Sequence, residues 1–231
     1  MNEKILVFDS STLISLSNVC LLWVLDKLKK STGVRFVISR GVKKEVVDDA
    51  LRSNRFKFSG MRIMKRIKEG TIEIIGNTQI NNRAQELLSY ANRVYSTSKS
   101  NLKIIHYGEM EAVALMQFLK TNMFATDERI LRLFYENPEG LQKLMSKRLK
   151  TKITFDRSNY RRFMRENRIN IIRSTEIAAV AYEMGLFRDY RQVAFRGGAE
   201  VLKGIFWALK TNGCGISVEN IDSYIREIVG R

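Results

Sequence analysis

Two aspartates follow short apolar segments that have the composition of buried strands. Asp9 comes directly after Ile5–Phe8, and Asp127 comes directly after Met123–Thr126. The carboxyl ends of parallel strands meet at one edge of a sheet, where α/β proteins bind their ligands. If the two strands are neighbours, both carboxylates face one crevice. The alternative is that each aspartate caps the helix that follows, a position for which aspartate is well suited.

Two glutamates occupy a segment that is otherwise apolar almost all round. Glu109 and Glu111 lie in Gly108–Lys120, a predicted buried helix, where each carboxylate must contact solvent, a cation or a metal. Residues two apart on a helix point about 200° apart, so we expect only one of them to face the crevice. Glu111 shares its face with Ala114 and Leu115 and is the favoured inward acid. Glu109 competes with it, or complements the helix dipole.

Glu45 becomes of interest only through the other acids. Converging carboxylates without several histidines or cysteines specify hard cations, because Mg²⁺ and Mn²⁺ prefer oxygen ligands. His106 is the only histidine, which excludes zinc held by several histidines. The sequence has no phosphate-binding glycine loop and no nucleophile elbow. The residues therefore predict an active site for one or two Mg²⁺ or Mn²⁺ ions.

Strands alternate with helices along the chain, which predicts an α/β fold with a mainly parallel sheet and helices on both sides. No linker composition and no repeat divides the chain, so we expect one domain over residues 1–231. The predicted strands are Ile5–Phe8, Val34–Ser39, Thr71–Ile75, Met123–Thr126 and Asn170–Arg173. The predicted helices are 12–30, Gly41–Ser53, 60–69, 80–98, Gly108–Lys120, a segment from about Glu128, 175–187, 197–211 and 217–229, the last with Ile221, Tyr224, Ile225 and Ile228 on one face.

The chain is strongly basic. Its 231 residues include 40 Lys and Arg against 24 Asp and Glu, a formal net charge of +16. Such a field attracts polyanions, and nucleic acid is favoured over an anionic membrane surface. No apolar run has the length of a membrane span, and the N-terminus lacks the core of a signal peptide, so we expect a cytoplasmic protein. Cys20 and Cys214 are expected to be buried core thiols.

A strongly basic segment follows the second aspartate. Over the segment 139–173, Lys and Arg outnumber Asp and Glu by eleven to three. The cations would bind phosphates, and the interleaved Phe155, Tyr160 and Phe163 would stack on unpaired bases. The alternative is a solvated basic helix whose aromatic side chains dock on the core. The candidate RNA-binding residues are Lys147, Arg148, Lys150, Lys152, Arg157, Arg161, Arg162, Arg165 and Arg168.

Three short motifs, in order along the chain, resemble those of PIN-domain ribonucleases. They are F-D-S-S-T-L-I over Phe8–Ile14, G-E-M-E-A-V-A-L over Gly108–Leu115 and A-T-D-E-R over Ala125–Arg129. The C-terminal part, with Arg173–Thr175 and the later G-C-G-I-S turn, is similar to the closing part of one prokaryotic, toxin-like subgroup.

The resemblance implies a three-layer α/β/α sandwich with a central parallel sheet, and an active site whose acids bind Mg²⁺ or Mn²⁺ to hydrolyse RNA. Ser11 or Thr12 would be a supporting hydroxyl. Compact members of the family need fewer residues between the counterparts of Asp127 and the Asn170–Arg173 strand, so residues 138–168 are interpreted as a basic helical insertion. Carried over by position, the catalytic acids would be Asp9, Glu45, Glu111 and Asp127, with Glu109 competing with Glu111 as a metal ligand.

A metal-dependent endoribonuclease is therefore the favoured function. One alternative is a PIN-like module that binds RNA or a protein partner without cutting. Another is a metal nuclease that acts on DNA or on structured substrates. Because many members of the family are toxins and many dimerise, an antitoxin and a second copy of the chain are candidate partners beside RNA. The length and the basic insertion weigh against a minimal toxin.

Overall fold

In the computed structural model, which describes residues 3–194 and 197–229, the chain forms a five-stranded parallel sheet and a separate two-stranded antiparallel pair. The strands are β1 (Ile5–Phe8), β2 (Arg35–Ile38), β3 (Ile72–Ile74), β4 (Tyr95–Ser96), β5 (Met123–Ala125), β6 (Thr154–Phe155) and β7 (Asn170–Ile172). The parallel sheet has the order β3-β2-β1-β5-β7, and β4 pairs with β6. The predicted parallel sheet is confirmed, and each of its strands lies within a predicted one.

Helices connect the strands and cover the sheet. They are α1 (Ser10–Asn18), α2 (Trp23–Thr32), α3 (Arg40–Lys43), α4 (Ala50–Arg52), α5 (Lys57–Lys68), α6 (Thr78–Ala91), α7 (Tyr107–Phe118), α8 (Arg129–Glu136), α9 (Pro138–Leu149), α10 (Arg157–Glu166), α11 (Ser174–Glu183), α12 (Arg188–Arg191), α13 (Gly198–Thr211) and α14 (Val218–Val229). A π-helical stretch, Lys44–Asp49, joins α3 to α4.

The central strand β1 is buried on both faces. Its side chains alternate, so that Leu6 and Phe8 pack into one core while Ile5 and Val7 pack into the other. The first core is closed by α1, α2, α5, α11, α13 and α14, and the second by α6 to α10. This arrangement is the expected three-layer α/β/α sandwich. The apolar face predicted for the last helix, from Ile221 to Ile228, packs on the first core.

The prediction of one helix over residues 12–30 is wrong. This segment forms two helices, α1 and α2, which are bent by 115° from each other. Cys20 adopts a left-handed φ of 62° between them, and the turn brings Leu21 and Leu22 into the core. Cys20 is exposed, contrary to expectation, whereas Cys214 is buried. Among the described residues no single helix is long and apolar enough to cross a bilayer, and only α1 and α2 taken together pass that test.

The predicted helix over residues 80–98 is too long by almost two turns. The helix α6 ends at Ala91, and the chain then turns so that Val94 and Tyr95 are buried. Tyr95 belongs to β4 and donates a hydrogen bond from its hydroxyl to the carbonyl oxygen of Pro138 at 2.8 Å. Burial of this large ring against a distant segment therefore outweighs the local helical pattern.

The predicted basic insertion is held on the core by its aromatic side chains. Phe155 stacks on Tyr95 with ring centroids 5.2 Å apart, and Phe163 contacts the ring of Phe134 at 5.4 Å. Phe163 is only 3% exposed, so its ring is not available to an unpaired base. The docking role, which was the alternative, accounts for these rings. All nine candidate RNA-binding cations of the segment are exposed.

We expect Phe163→Ala to loosen this segment. Truncating a buried phenylalanine typically lowers the free energy of unfolding by about 3–5 kcal/mol. Hydrogen exchange followed by mass spectrometry should show the largest loss of protection in α9 and α10, with β1 least affected. Phe118→Ala, at a ring that is 44% exposed, is the control and should change little. An even loss of protection across the chain would contradict the assigned docking role.

Candidate active site

Four acidic side chains line one cavity of about 530 Å³. Asp9 follows β1, Glu45 lies in the π-helical stretch, Glu109 lies in the first turn of α7, and Glu128 precedes α8. The strands β1 and β5 are direct neighbours, as the position of the acids required. We term this the carboxylate cavity. Its other lining residues are Ser10, Ser11, Ile14, Ile104, His106, Gly108, Ile130 and Arg148.

Asp9 is the most firmly held of the four acids. Its Oδ2 accepts hydrogen bonds from the hydroxyl of Ser11 at 2.6 Å and from the hydroxyl of Thr126 at 3.1 Å. It also caps α1, so the two roles considered for this residue coexist. Of the two predicted supporting hydroxyls, Ser11 has this role. The hydroxyl of Thr12 is buried and contacts no hydrogen-bond partner within the described ranges.

Glu109 and Glu111 have the opposite placement to the one we expected. Glu111 is buried outside the cavity lining, and its Oε2 accepts hydrogen bonds from the hydroxyl of Ser39 at 2.7 Å and the backbone N–H of Gly41 at 2.9 Å. It therefore ties α7 to the start of α3. Glu109 lines the cavity, and its Oε2 accepts a hydrogen bond from the backbone N–H of His106 at 2.6 Å. The helical pattern alone does not choose between these two directions.

Asp127 is likewise not the acid that lines the cavity. Its Oδ1 accepts a hydrogen bond from the backbone N–H of Ser174 at 2.9 Å, at the start of α11. Glu128 lines the cavity instead, and sequence analysis missed it. Successive side chains of extended backbone point to opposite sides. The hydroxyl of Thr126 donates a hydrogen bond to Asp9, and Glu128, two positions further on, lies on the same side of this extended segment. The sequence shows the alternation of the segment but not which side faces the cavity.

Glu45 lies at the exposed edge of the cavity, in the predicted position. The π-helical stretch that carries it is an irregularity often found at functional sites. Arg148, one of the predicted RNA-binding residues, is exposed and lines the same cavity from the end of α9. The predicted basic insertion thus supplies a cation beside the acids.

The four carboxylates crowd negative charge into this cavity. Burial raises the pKa of Asp9 above its usual range. Burial, and then the charge of Asp9, raise the pKa of Glu45. Burial raises the pKa of Glu109 to about 8, with further contributions from Asp9, Glu128 and Glu45. None of the four forms an ion pair within the part of the chain that the structure describes.

This donor set fits a hard divalent cation in its chemistry. All four side chains offer carboxylate oxygens, which Mg²⁺ and Mn²⁺ prefer. As the side chains stand, no three Asp, Glu, His or Cys residues in the described ranges are placed to hold one ion. Binding by three carboxylates therefore requires rotation of side chains, for which Glu45 has room at the exposed edge.

The chain matches no protein-family model and no curated protein sequence. The candidate active site therefore rests on its residues and their geometry.

We expect Gly41→Ala to destabilise the protein. An added Cβ would lie 2.1 Å from Oε2 of Glu111, displacing this buried carboxylate from its two donors. The cost of unpairing a buried polar group suggests a loss of roughly 1–3 kcal/mol in the free energy of unfolding. The matched control is Gly204→Ala on α13, where a Cβ meets nothing within 4 Å and a gain of about 0.4–1 kcal/mol is expected. Equal effects in urea denaturation would contradict the role of Glu111.

We expect the metal-free protein to lose stability as pH rises, through Glu109. Its pKa of about 8 in the folded state lies above its ordinary value of 4.5, so its contribution to stability is fully present below pH 4.5 and is lost between pH 4.5 and about 8. Glu109→Gln keeps an acceptor for the N–H of His106 but carries no charge. Urea denaturation in EDTA should show that the stability of the variant, relative to that of the parent, rises between pH 5 and pH 8. Parallel pH profiles would contradict this.

Proposed function

We propose that the protein is a metal-dependent endoribonuclease whose active site is the carboxylate cavity. One observation supports this above all. Acids from four separate segments, Asp9, Glu45, Glu109 and Glu128, line one cavity and lack cationic partners within the described residues. Of these, Asp9 and Glu109 are buried, which is costly for a carboxylate without a cation, and a divalent cation would compensate them. The three motifs that resemble those of PIN-domain ribonucleases support the same reaction.

The residues of the chain have distinct roles in this proposal. When bound, Mg²⁺ or Mn²⁺ supplies Lewis-acid activation for hydrolysis of a phosphodiester. Asp9 is the fixed ligand, because the hydroxyls of Ser11 and Thr126 hold one of its oxygens. Glu45, Glu109 and Glu128 complete the oxygen donors. Since burial raises its pKa to about 8, the Glu109 carboxyl holds a proton at neutral pH in the metal-free protein, and it would have to lose that proton to serve as a ligand.

The cations of the basic insertion would hold the RNA backbone. They are exposed on and around α9 and α10, where they offer phosphate contacts without base preference. Arg148 connects this surface to the chemistry, because it also lines the cavity and would hold a phosphate against the repulsion of the acids. RNA rather than DNA is the expected substrate on the strength of the resemblance, and competition between the two polymers decides it.

Removing a cavity acid should abolish metal-dependent cleavage. We expect Asp9→Asn and Glu128→Gln each to lower the rate about 100-fold or more, the loss typical when a group that stabilises charge in the transition state is removed. The measurement is cleavage of labelled single-stranded RNA and matched DNA with Mn²⁺, with Mg²⁺ and with EDTA. Glu136→Gln is the matched control, because this exposed acid lies on α8, the helix that Glu128 caps.

The outcomes separate the candidate functions. RNA cut only with metal, and only by the parent and the control, supports the proposal. Full activity of Asp9→Asn in a clean preparation would overturn the site. RNA bound but never cut, with no heat of Mn²⁺ binding in calorimetry, would favour an RNA-binding module. DNA cut as fast as RNA would favour the DNA nuclease.

A further inference from the structure

A second basic surface lies around the start of α5. Over residues 50–68 the chain has seven Lys and Arg and neither Asp nor Glu. Three apolar side chains of this segment are exposed, Phe58 by 70%, Met61 by 51% and Phe56 by 39%. We term this surface the α5 patch. It consists of Arg52, Arg55, Phe56, Lys57, Phe58, Met61, Arg62 and Lys65.

The two phenylalanine rings of the α5 patch are paired with guanidinium groups. Arg55 lies over the ring of Phe56 at 5.1 Å from its centroid, and Arg62 lies over the ring of Phe58 at 5.6 Å. Such cation–π contacts hold exposed rings in place. Exposed rings bordered by cations are the elements with which proteins bind unpaired bases and their phosphates.

The exposed rings do not belong to the face of α5 that packs on the core. The inward face of α5 carries Ile63, Met64 and Ile67, and all three pack on the first core. Phe56 and Phe58 are exposed and belong to neither core. Because the apolar face of α5 is already buried, the helix has no continuous apolar stripe to lay on a lipid surface, which is what an interfacial helix requires.

The α5 patch is fixed to the segments that form the carboxylate cavity. The π-helical stretch carrying Glu45 continues into α4, which ends at Arg52. Seven residues of helix correspond to about 10 Å. At the first turn of α5, the hydroxyl of Ser17 donates a hydrogen bond to the carbonyl oxygen of Ser59 at 3.3 Å. Through Arg52 and Ser59, the α5 patch is therefore connected to the two segments that supply Glu45 and Asp9 to the cavity.

We infer that the α5 patch is a binding site for single-stranded nucleic acid. Unpaired bases stack on Phe56 and Phe58, and the surrounding Lys and Arg side chains hold the phosphates. The inference rests on the proposed function only for the identity of the strand, as the RNA that enters the carboxylate cavity. The preferred substrate is then a strand whose bases are unpaired where it contacts the patch, since paired bases have no face free to stack.

The test is binding without cleavage. Fluorescence anisotropy in EDTA compares a labelled single-stranded RNA, a duplex of the same sequence, and a strand in which the positions under study are abasic. Phe58→Ala and Phe56→Ala should each weaken binding of the single strand about 5- to 100-fold, the range for loss of one stacked base. On the abasic strand neither variant should differ from the parent. Arg55→Gln should weaken binding of both strands.

Controls fix the interpretation. Phe58→Trp should restore binding, because its ring can also stack. Phe118→Ala, at an exposed ring on α7, should leave binding unchanged. Equal losses on the single strand and the abasic strand, or no loss on either, would overturn the stacking site. Loss of binding to anionic lipid vesicles in the phenylalanine variants, with RNA binding unchanged, would overturn it in favour of a membrane surface.

Failure of this inference is distinct from failure of the proposed nuclease. If the α5 patch binds single strands but no metal supports cleavage, the nuclease is refuted and the binding site stands. If cleavage requires Asp9 but the phenylalanine variants bind and cut like the parent, the nuclease stands and the binding site is refuted.

Discussion

The structure is organised around a carboxylate buried at the end of its central strand. Asp9 follows β1, which packs into both cores, and its side chain accepts hydrogen bonds from Ser11 and Thr126. Those bonds lower the pKa of Asp9, yet burial raises it by more. Three further acids line the same cavity, and none of the four forms an ion pair among the described residues, although Arg148 also lines it. Under the proposed function, a divalent cation would compensate these carboxylates.

The strands could be predicted from sequence because their signal is local. Ile5–Phe8 could be recognised as a short apolar run buried on both faces, and the other four parallel strands as short segments of extended, β-rich composition. The helical errors arose where distant contacts decide. Neither the bend at Cys20 nor the end of α6 at Ala91 interrupts the local apolar pattern. In both cases the chain turns because burial of the next large side chains outweighs another helical turn.

The candidate active site was predictable to within one or two residues in each segment. The choice between Glu109 and Glu111 depends on Ser39 and the space at Gly41, which lie 72 and 70 residues from Glu111. Asp127 is turned from the cavity by Ser174, 47 residues away. Such partners leave no trace in the local pattern. The composition of the insertion predicted its exposed cations, whereas the burial of its aromatic rings depended on packing against Phe134.

The acidic cavity lies in a strongly basic chain, so acidic and basic groups occupy different surfaces. Under the proposed function, the acids of the carboxylate cavity would repel phosphate in the absence of a bound cation, so affinity for the strand would come from the neighbouring basic surfaces. These are the basic insertion, of which Arg148 lines the cavity, and the α5 patch, which follows the π-helical stretch that carries Glu45. Because binding to both surfaces depends on phosphate contacts, the affinity would fall steeply as the salt concentration rises, while the contribution of base stacking would remain.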